Sequence, residues 1–190
     1  MNNDIERHPL RPFLPQHAKV LMLGSFPPQR KRWSMEWFYP NIQNDMWRIF
    51  GLVFFEDKNY FYDTVGKRFK LEILRPFLEE KGIALYDTAT SVRRLKNNAS
   101  DTFLEVIEQT DIKALVAQIP KCKAIIATGQ KAADILAGQY QCKTLQIGCP
   151  TIIDGMITLY RMPSSSRSYP LALDKKADFY RTTFQREGLI

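Results

Sequence analysis

The sequence predicts an α/β sandwich built on a mainly parallel sheet. Three observations carry that reading. Apolar runs of strand length alternate with segments of helical period along the chain. The 190 residues show no internal repeat, low-complexity tract or composition shift that would mark a domain boundary. The composition, 45% hydrophobic and 25% charged, is that of an ordinary globular protein. Its apolar runs, such as Val20 to Leu23 and Gly51 to Phe55, fall far below the roughly 20 residues of a bilayer-spanning helix. One domain over residues 1–190 is expected, with 1–17 as an N-terminal extension.

Ala18 to Leu23 is a strand-like run that breaks into Gly24-Ser25-Phe26-Pro27-Pro28, a stretch that cannot continue a strand. Met46, Trp47, Ile49, Phe50 and Val53 have helical spacing behind the capping pair Asn44-Asp45, so a helix is expected over about 44–54. Arg68 to Glu80 places Leu71, Leu74, Phe77 and Leu78 on one face, with Pro76 in its middle and Gly82 as its stop. Ile83 to Tyr86 follows as a strand. Asp87 to Asn98 is polar and basic and reads as a long functional loop. Helical spacing resumes at Phe103, Leu104 and Ile107 and again from Ile112 to Ile119. Lys123 to Thr128 is a buried strand that feeds Gly129 and a helix over Lys131 to Ala137. Leu145 to Ile147 and Thr151 to Leu159 are strand-like pieces, Arg161 to Arg167 a loop, and Asp174 to Arg186 an amphipathic helix with Ala177, Tyr180 and Phe184 inward.

In open α/β sheets, ligands bind outside the carboxyl ends of the strands. Those ends are Gly24 to Pro28, Asp87 to Ser91, Thr128-Gly129 and Pro163 to Arg167, so these four loops are expected to meet at one cleft.

Several function classes lose support at once. The start, Met1 to Pro15, has no secretory pattern, which predicts a cytoplasmic protein. Cys122, Cys142 and Cys149 contain no Cys-x-x-Cys and read as free, partly buried thiols. The only histidines, His8 and His17, both precede the first core strand. A Ser-His-Asp triad on Ser25 or Ser165 therefore lacks its base, and a histidine-rich metal site lacks its ligands. Neither a phosphate-binding G-x-x-x-x-G-K-[ST] loop nor a G-x-G-x-x-G fingerprint occurs. No cofactor and no metal are expected.

What remains is amide, hydroxyl and carboxylate chemistry in a basic, aromatic cleft. Residues 33–47 hold five aromatic rings, at Trp33, Trp37, Phe38, Tyr39 and Trp47, and three side-chain amides, at Asn41, Gln43 and Asn44. Rings sandwich a base and amides read its polar edge, the two requirements of a pocket for an extruded nucleobase. Trp47 and Met46 read as core, whereas Phe26, Phe38 and Tyr39 suit either core or stacking. Asp45 reads as a first-turn helix acid, and Asp87 as a strand-end cap or a working carboxylate. The net charge of +7 favours a polyanionic partner, with Arg30, Lys31, Arg32, Arg93, Arg94, Lys96, Arg161 and Arg167 as a phosphate track.

Five segments, in this order, carry a resemblance. They are Leu21-Met22-Leu23-Gly24-Ser25-Phe26-Pro27, Phe38-Tyr39-Pro40-Asn41-Ile42-Gln43-Asn44-Asp45-Met46-Trp47, Leu85-Tyr86-Asp87-Thr88, Ala127-Thr128-Gly129-Gln130-Lys131-Ala132-Ala133 and Met162-Pro163-Ser164-Ser165-Ser166. Over about residues 18 to 187 the chain resembles the uracil-DNA glycosylase superfamily. It is most similar to the hypoxanthine-DNA glycosylase branch and more distantly to the mismatch-specific uracil glycosylases. The resemblance implies a three-layer α/β/α sandwich with a central, mainly parallel four-stranded sheet, in agreement with the reading above.

It also implies roles. Gly24 to Pro27 matches the first motif, which lies against a flipped nucleotide, with Phe26 or the Phe38-Tyr39 pair stacking on the base. Asn44 falls at the catalytic asparagine, which positions water for attack on C1′ of the sugar. Asp87 and Ser25 are further candidates for the chemistry. Pro27 and the second motif, Pro163, Ser164, Ser165, Ser166 and Arg167, contact DNA. The chain departs from its relatives where the mismatch-specific branch has Asn and this chain has Phe26, and where the hypoxanthine branch has His-Pro-Arg and this chain has Asn41-Ile42-Gln43.

The expected protein is thus a monomeric DNA glycosylase that removes a deaminated base, uracil or hypoxanthine, in base excision repair. Two alternatives stand beside it: a catalytically silent nucleic-acid- or nucleotide-binding module of the same fold, and a small α/β hydrolase using Asp87 and Ser25.

Overall fold

Strands β2 (Val20–Gly24), β5 (Ile83–Asp87) and β8 (Ala124–Thr128) are buried at every residue. Successive strand side chains point to opposite faces, so burial without alternation means that both faces are covered. The computed structural model describes residues 5–95 and 103–190. In it these strands form one side of a five-stranded sheet, with β5 at the edge, β2 next and β8 in the middle, followed by β10 (Ile157–Met162) and β9 (Thr151–Ile153). Strand β10 extends the parallel set to the four strands expected, and β9 adds an antiparallel edge. Helices flank this mainly parallel sheet. Aromatic contacts join α1 (Met46–Phe55) to α5 (Leu173–Arg186) through Phe50 and Phe184, and to α2 (Leu71–Lys81) through Phe54 and Phe77. Helix α4 (Gln130–Gln139) packs on β8, and its Gln139 accepts from the Ile112 amide at the start of α3 (Ile112–Ala117).

Capping explains the helix ends. Asn44 Oδ1 accepts from the Met46 amide at 2.9 Å at the start of α1. Asp111 caps α3 through Ala114 N. Gly82 closes α2 in the left-handed conformation at φ 70°, packed against the His17 carbonyl. Helix α2 runs on through Pro76, which gives up one hydrogen bond to the carbonyl four residues earlier. Its first expected residues belong elsewhere: β4 (Arg68–Phe69) pairs with β3 (Tyr62–Asp63) in a short hairpin.

The region after Asp87 departs from the sequence expectation. The stretch read as a loop after Asp87 contains β6 (Ala89–Arg94), and the helix expected at Phe103 to Ile107 is β7 (Leu104–Gln109). Lys96 and the remainder of that loop, to Asn98, lie outside the described residues. With β1 (Ile5–Arg7), these strands form an antiparallel sheet of order β1-β6-β7. Register shifts between Ala89, Ser91 and Val92 break the alternation of β6, which is why period alone does not reveal it. In β7, Leu104 is buried while Ile107 is exposed, so the apolar spacing that suggested a helix joins residues on opposite faces. Ala89, Val92 and Leu104 form a small separate core, covered by Phe26 and Val106.

Leu145 to Ile147 is not a strand; Ile147 makes a single bridge to Arg161. Thr151 to Leu159 divides at Asp154-Gly155, both at positive φ, into β9 and β10. The stretch expected as an N-terminal extension is tied to the rest: β1 pairs with β6, and Phe13 exchanges backbone hydrogen bonds with Leu85. The three cysteines are free, with Cys122 and Cys142 half-buried and Cys149 exposed. No helix among the described residues is long and apolar enough to cross a membrane.

Candidate functional site

Strand order reverses between β2 and β8, since the chain passes from β2 outward to β5 and then returns across β2 to β8. Loops leaving adjacent strands in opposite directions open a crevice at their carboxyl ends. A cleft of about 1360 Å³ occupies that position. It is lined from all four expected loops, including Gly24 to Pro28, Asp87, Thr128-Gly129 and Met162 to Arg167. Phe38, Tyr39, Asn41, Gln43 and Asn44 enter it from the long connection before α1.

Gly24 ends β2 under the Asp87 carboxylate. A Cβ there would lie 2.3 Å from Asp87 Oδ1 and 3.3 Å from the Tyr39 hydroxyl, so only glycine lets both groups approach. Thr128 Oγ1 donates to the Leu23 carbonyl at 3.2 Å, and the Tyr39 hydroxyl at 3.0 Å therefore donates to Thr128 Oγ1. Tyr39 sits at φ 49°, a left-handed backbone that costs a non-glycine residue about 1–3 kcal/mol. That turn holds the Tyr39 ring edge-on to Trp47, 5.6 Å between centroids.

The candidate stacking residues separate by burial. Phe38 is 2% exposed, and its carbonyl accepts from Trp47 Nε1 at 3.0 Å. It belongs to the main core and reaches the cleft as its floor. Phe26 is half-buried, bridges the small core and the cleft, and carries the Arg94 guanidinium 5.7 Å above its ring. Ser25 is buried at 8% and has interaction partners.

The two motif loops are bonded to each other. Asn44 bridges Ser166, the Asp45 amide donates to the Ser165 carbonyl at 2.7 Å, and the Arg167 amide donates to the Gln43 carbonyl at 3.0 Å. Asn44 lines the cleft while its Oδ1 serves the helix start. Ser165 and Pro163 are buried; Ser164 accepts from the Ser166 amide through Oγ, and Ser166 Oγ pairs with Ser168 Oγ at 2.8 Å. Beneath them, Asp45 accepts from Arg167 and from Lys176 of α5, as the helix-acid reading of Asp45 allowed. Burial first, and the neighbouring Arg167 second, lower the pKa of Arg48 from its ordinary value.

Much of the expected phosphate track is committed within the protein. Arg94 donates to both Glu6 carboxylate oxygens and, at 2.6 Å, to the Pro27 carbonyl. Arg93 pairs with Glu105 and Arg30 with Glu36, while Arg167 reaches Asp45, Gln43 and the Ile42 carbonyl. Of these arginines, Arg94 and Arg167 line the cleft. Arg32, which is exposed, and Lys131 also line it.

Sequence reasoning missed one member of the site. His8 precedes the first core strand in the sequence, yet its Nε2 lies 2.9 Å from Asp87 Oδ2, with the two side chains 3% and 8% exposed. The pairing of β1 with β6 brings it there. No local pattern announces a contact across 79 residues; only the Asp87 carboxylate at a strand end hinted that a partner was needed. Burial, and secondarily the Asp87 charge, raise the pKa of the adjacent Tyr86 phenol.

No protein-family model matches the chain, and no curated protein matches it. Its fold is similar to a solution NMR structure from Methanosarcina acetivorans, described as a "putative Uracil DNA glycosylase", with a TM-score of 0.65 at 20% identity over 97% of this chain and 99% of the other. The chain therefore shares the α/β fold of that structure along nearly its whole length.

Proposed function

We infer that the protein is a monofunctional DNA N-glycosylase that flips a deaminated base, uracil or hypoxanthine, into this cleft and hydrolyses its glycosidic bond. The observation that carries the reading is the backbone pairing of Asn44 with Ser166 and of Asp45 with Ser165, which joins the loop before α1 to the loop after β10 across one cleft. At about 1360 Å³ it exceeds the roughly 300–1,000 Å³ of a small-molecule pocket and suits a nucleotide with its flanking backbone.

In this reading the base enters between Phe26 and Tyr39 over the floor made by Phe38. Asn44 orients a water toward C1′, and Asp87 stands beside Gly24 to stabilise positive charge on the sugar and receive the water's proton. Ser25 and the backbone of Gly24 to Pro27 hold the phosphate on one side. Pro163, Ser164, Ser165 and Ser166 press on the strand from the other, with Arg167 keeping the two loops in register. A binding module of the same fold is the second reading, favoured by the commitment of Asn44 Oδ1 to the α1 start.

The test is alkali cleavage of labelled oligonucleotides carrying uracil, hypoxanthine, xanthine or a thymine mismatch, single- and double-stranded. Release of a base by the wild type, slowed about 100-fold or more in Asp87→Asn, supports the glycosylase. Silence across the panel with binding that weakens steeply with salt supports the binding module. Silence with no binding overturns both readings.

A further inference from the structure

His8 is held by its backbone, by the rings around it and at both ring nitrogens. Its amide donates to the Thr90 carbonyl at 2.8 Å, which anchors the residue to β6. The imidazole is wedged among Phe26 at 5.3 Å, Tyr86 at 4.6 Å and Phe38 at 6.3 Å between ring centroids. Nδ1 lies 2.9 Å from the Leu10 carbonyl and 3.1 Å from the Leu10 amide. Leu10 therefore satisfies that nitrogen in either state, its N–H donating to a bare Nδ1 and its C=O accepting from a protonated one. Nε2 faces Asp87 Oδ2, and because an ionised carboxylate only accepts, Nε2 carries a proton.

The other carboxylate oxygen, Oδ1, lies over Gly24 at the end of β2. One edge of Asp87 is thus gripped by a ring that has no freedom to turn, and the opposite edge meets the backbone of the first loop.

We propose that His8 is the positioning residue of Asp87, fixing Oδ2 so that Oδ1 is presented to the reacting sugar. The inference rests on the glycosylase reading and adds to it a residue that the sequence order conceals. In the step it serves, the bond between C1′ and the base nitrogen breaks with its electron pair leaving on the base. Water oxygen bonds to C1′, and the water's proton passes to Asp87 Oδ1. His8 keeps its own protons throughout and touches neither sugar nor base.

The experiment is a double-mutant cycle in single-turnover base release on whichever oligonucleotide the wild type cleaves, with DNA affinity and thermal melting measured for each variant. His8→Ala is expected to slow release about 10–100-fold, the usual cost of removing a group that orients a reacting one, with DNA affinity unchanged. His8→Gln restores part of the rate through its amide N–H. Adding His8→Ala to Asp87→Asn costs nothing further, because the residue acts only through that carboxylate. Losses that multiply, or an unchanged rate in His8→Ala, overturn the proposal. If His8→Ala does not fold, the cycle is run with His8→Gln.

A second measurement needs no activity. With only His8 and His17 in the chain, the imidazole nitrogen spectrum of the full-length protein isolates His8. A protonated Nε2 that shifts in Asp87→Ala supports the pairing, and an unmoved His8 signal overturns it. A wild type that releases no base overturns the glycosylase reading itself, and the spectrum tells that failure apart from failure of the pair.

Discussion

Lys176 of α5 places its ammonium 3.2 Å from Asp45 Oδ2 at the start of α1, with the two side chains 1% and 8% exposed. The same ammonium donates to the Ser166 carbonyl at 2.7 Å. One buried cation therefore joins the last helix, the first helix and the loop opposite Asn44. Removing one partner of a buried pair costs about 3–5 kcal/mol when the other charge is left without compensation. Arg167 still reaches Asp45 at 3.3 Å, so Lys176→Ala is expected to lose less stability than that by urea denaturation. In combination with Asp45→Asn the total loss should fall well short of the sum, since the two act on one interaction.

Gly24→Ala separates chemistry from folding. The φ of Gly24 is not positive, so alanine fits the backbone there, but its Cβ would fall 2.3 Å from Asp87 Oδ1. Overpacking of this kind costs about 1–3 kcal/mol. Displacing a reacting group by an ångström costs about 100-fold in rate. The variant is expected to melt cooperatively and to release base about 100-fold more slowly; a wild-type rate would remove Asp87 from the chemistry.

Asn44 holds two roles that two substitutions distinguish. Asn44→Ala deletes the acceptor for the Met46 amide and is expected to destabilise α1 by about 0.5–2 kcal/mol. Asn44→Asp keeps that acceptor and removes the amide donor. Near-wild-type melting with base release reduced at least tenfold is the expected result for Asn44→Asp. Full activity in that variant would make Asn44 a cap and nothing more.

Alkaline pH is expected to weaken the fold in steps. Burial pushes the Cys122 thiol from its ordinary 9.0 up to about 11. Burial, then the hydrogen bond to Glu187, pushes the Tyr160 phenol from 10.0 up to about 12. In both cases the native state keeps a proton that the unfolded chain releases earlier, so stability is full below the unfolded value and falls as pH rises toward the folded one. The denaturant midpoint should decline from about pH 9 for Cys122 and from about pH 10 for Tyr160. Burial also raises the pKa of Tyr86, Tyr140 and Tyr180, which add to the second decline. Tyr160→Phe should therefore make it shallower between about pH 10 and 12, and an unaltered slope would assign it to those groups.

The parallel sheet was legible because β2, β5 and β8 are continuous apolar runs, as strands covered on both faces must be. The cleft was legible for a topological reason: loops after parallel strands gather at one end, so Gly24, Asp87, Thr128 and Ser165 had to meet. The antiparallel sheet was not legible, because a bulged register in β6 and an exposed Ile107 in β7 scramble the alternation by which strands are recognised.

Read alone, the sequence reveals the strands β2, β5 and β8 and the helices α1, α2, α4 and α5 in their order, the end of the sheet at which polar loops collect and the residue types those loops carry, all of which depend on local period and chain direction. Tertiary structure alone decided the partners: His8 for Asp87, Arg94 for the Pro27 carbonyl, Lys176 for Asp45 and Ser166. Each joins segments from 10 to 131 positions apart. Hydrogen bonds and ion pairs depend on a few tenths of an ångström and on burial, and neither exists until the sheets and helices have packed.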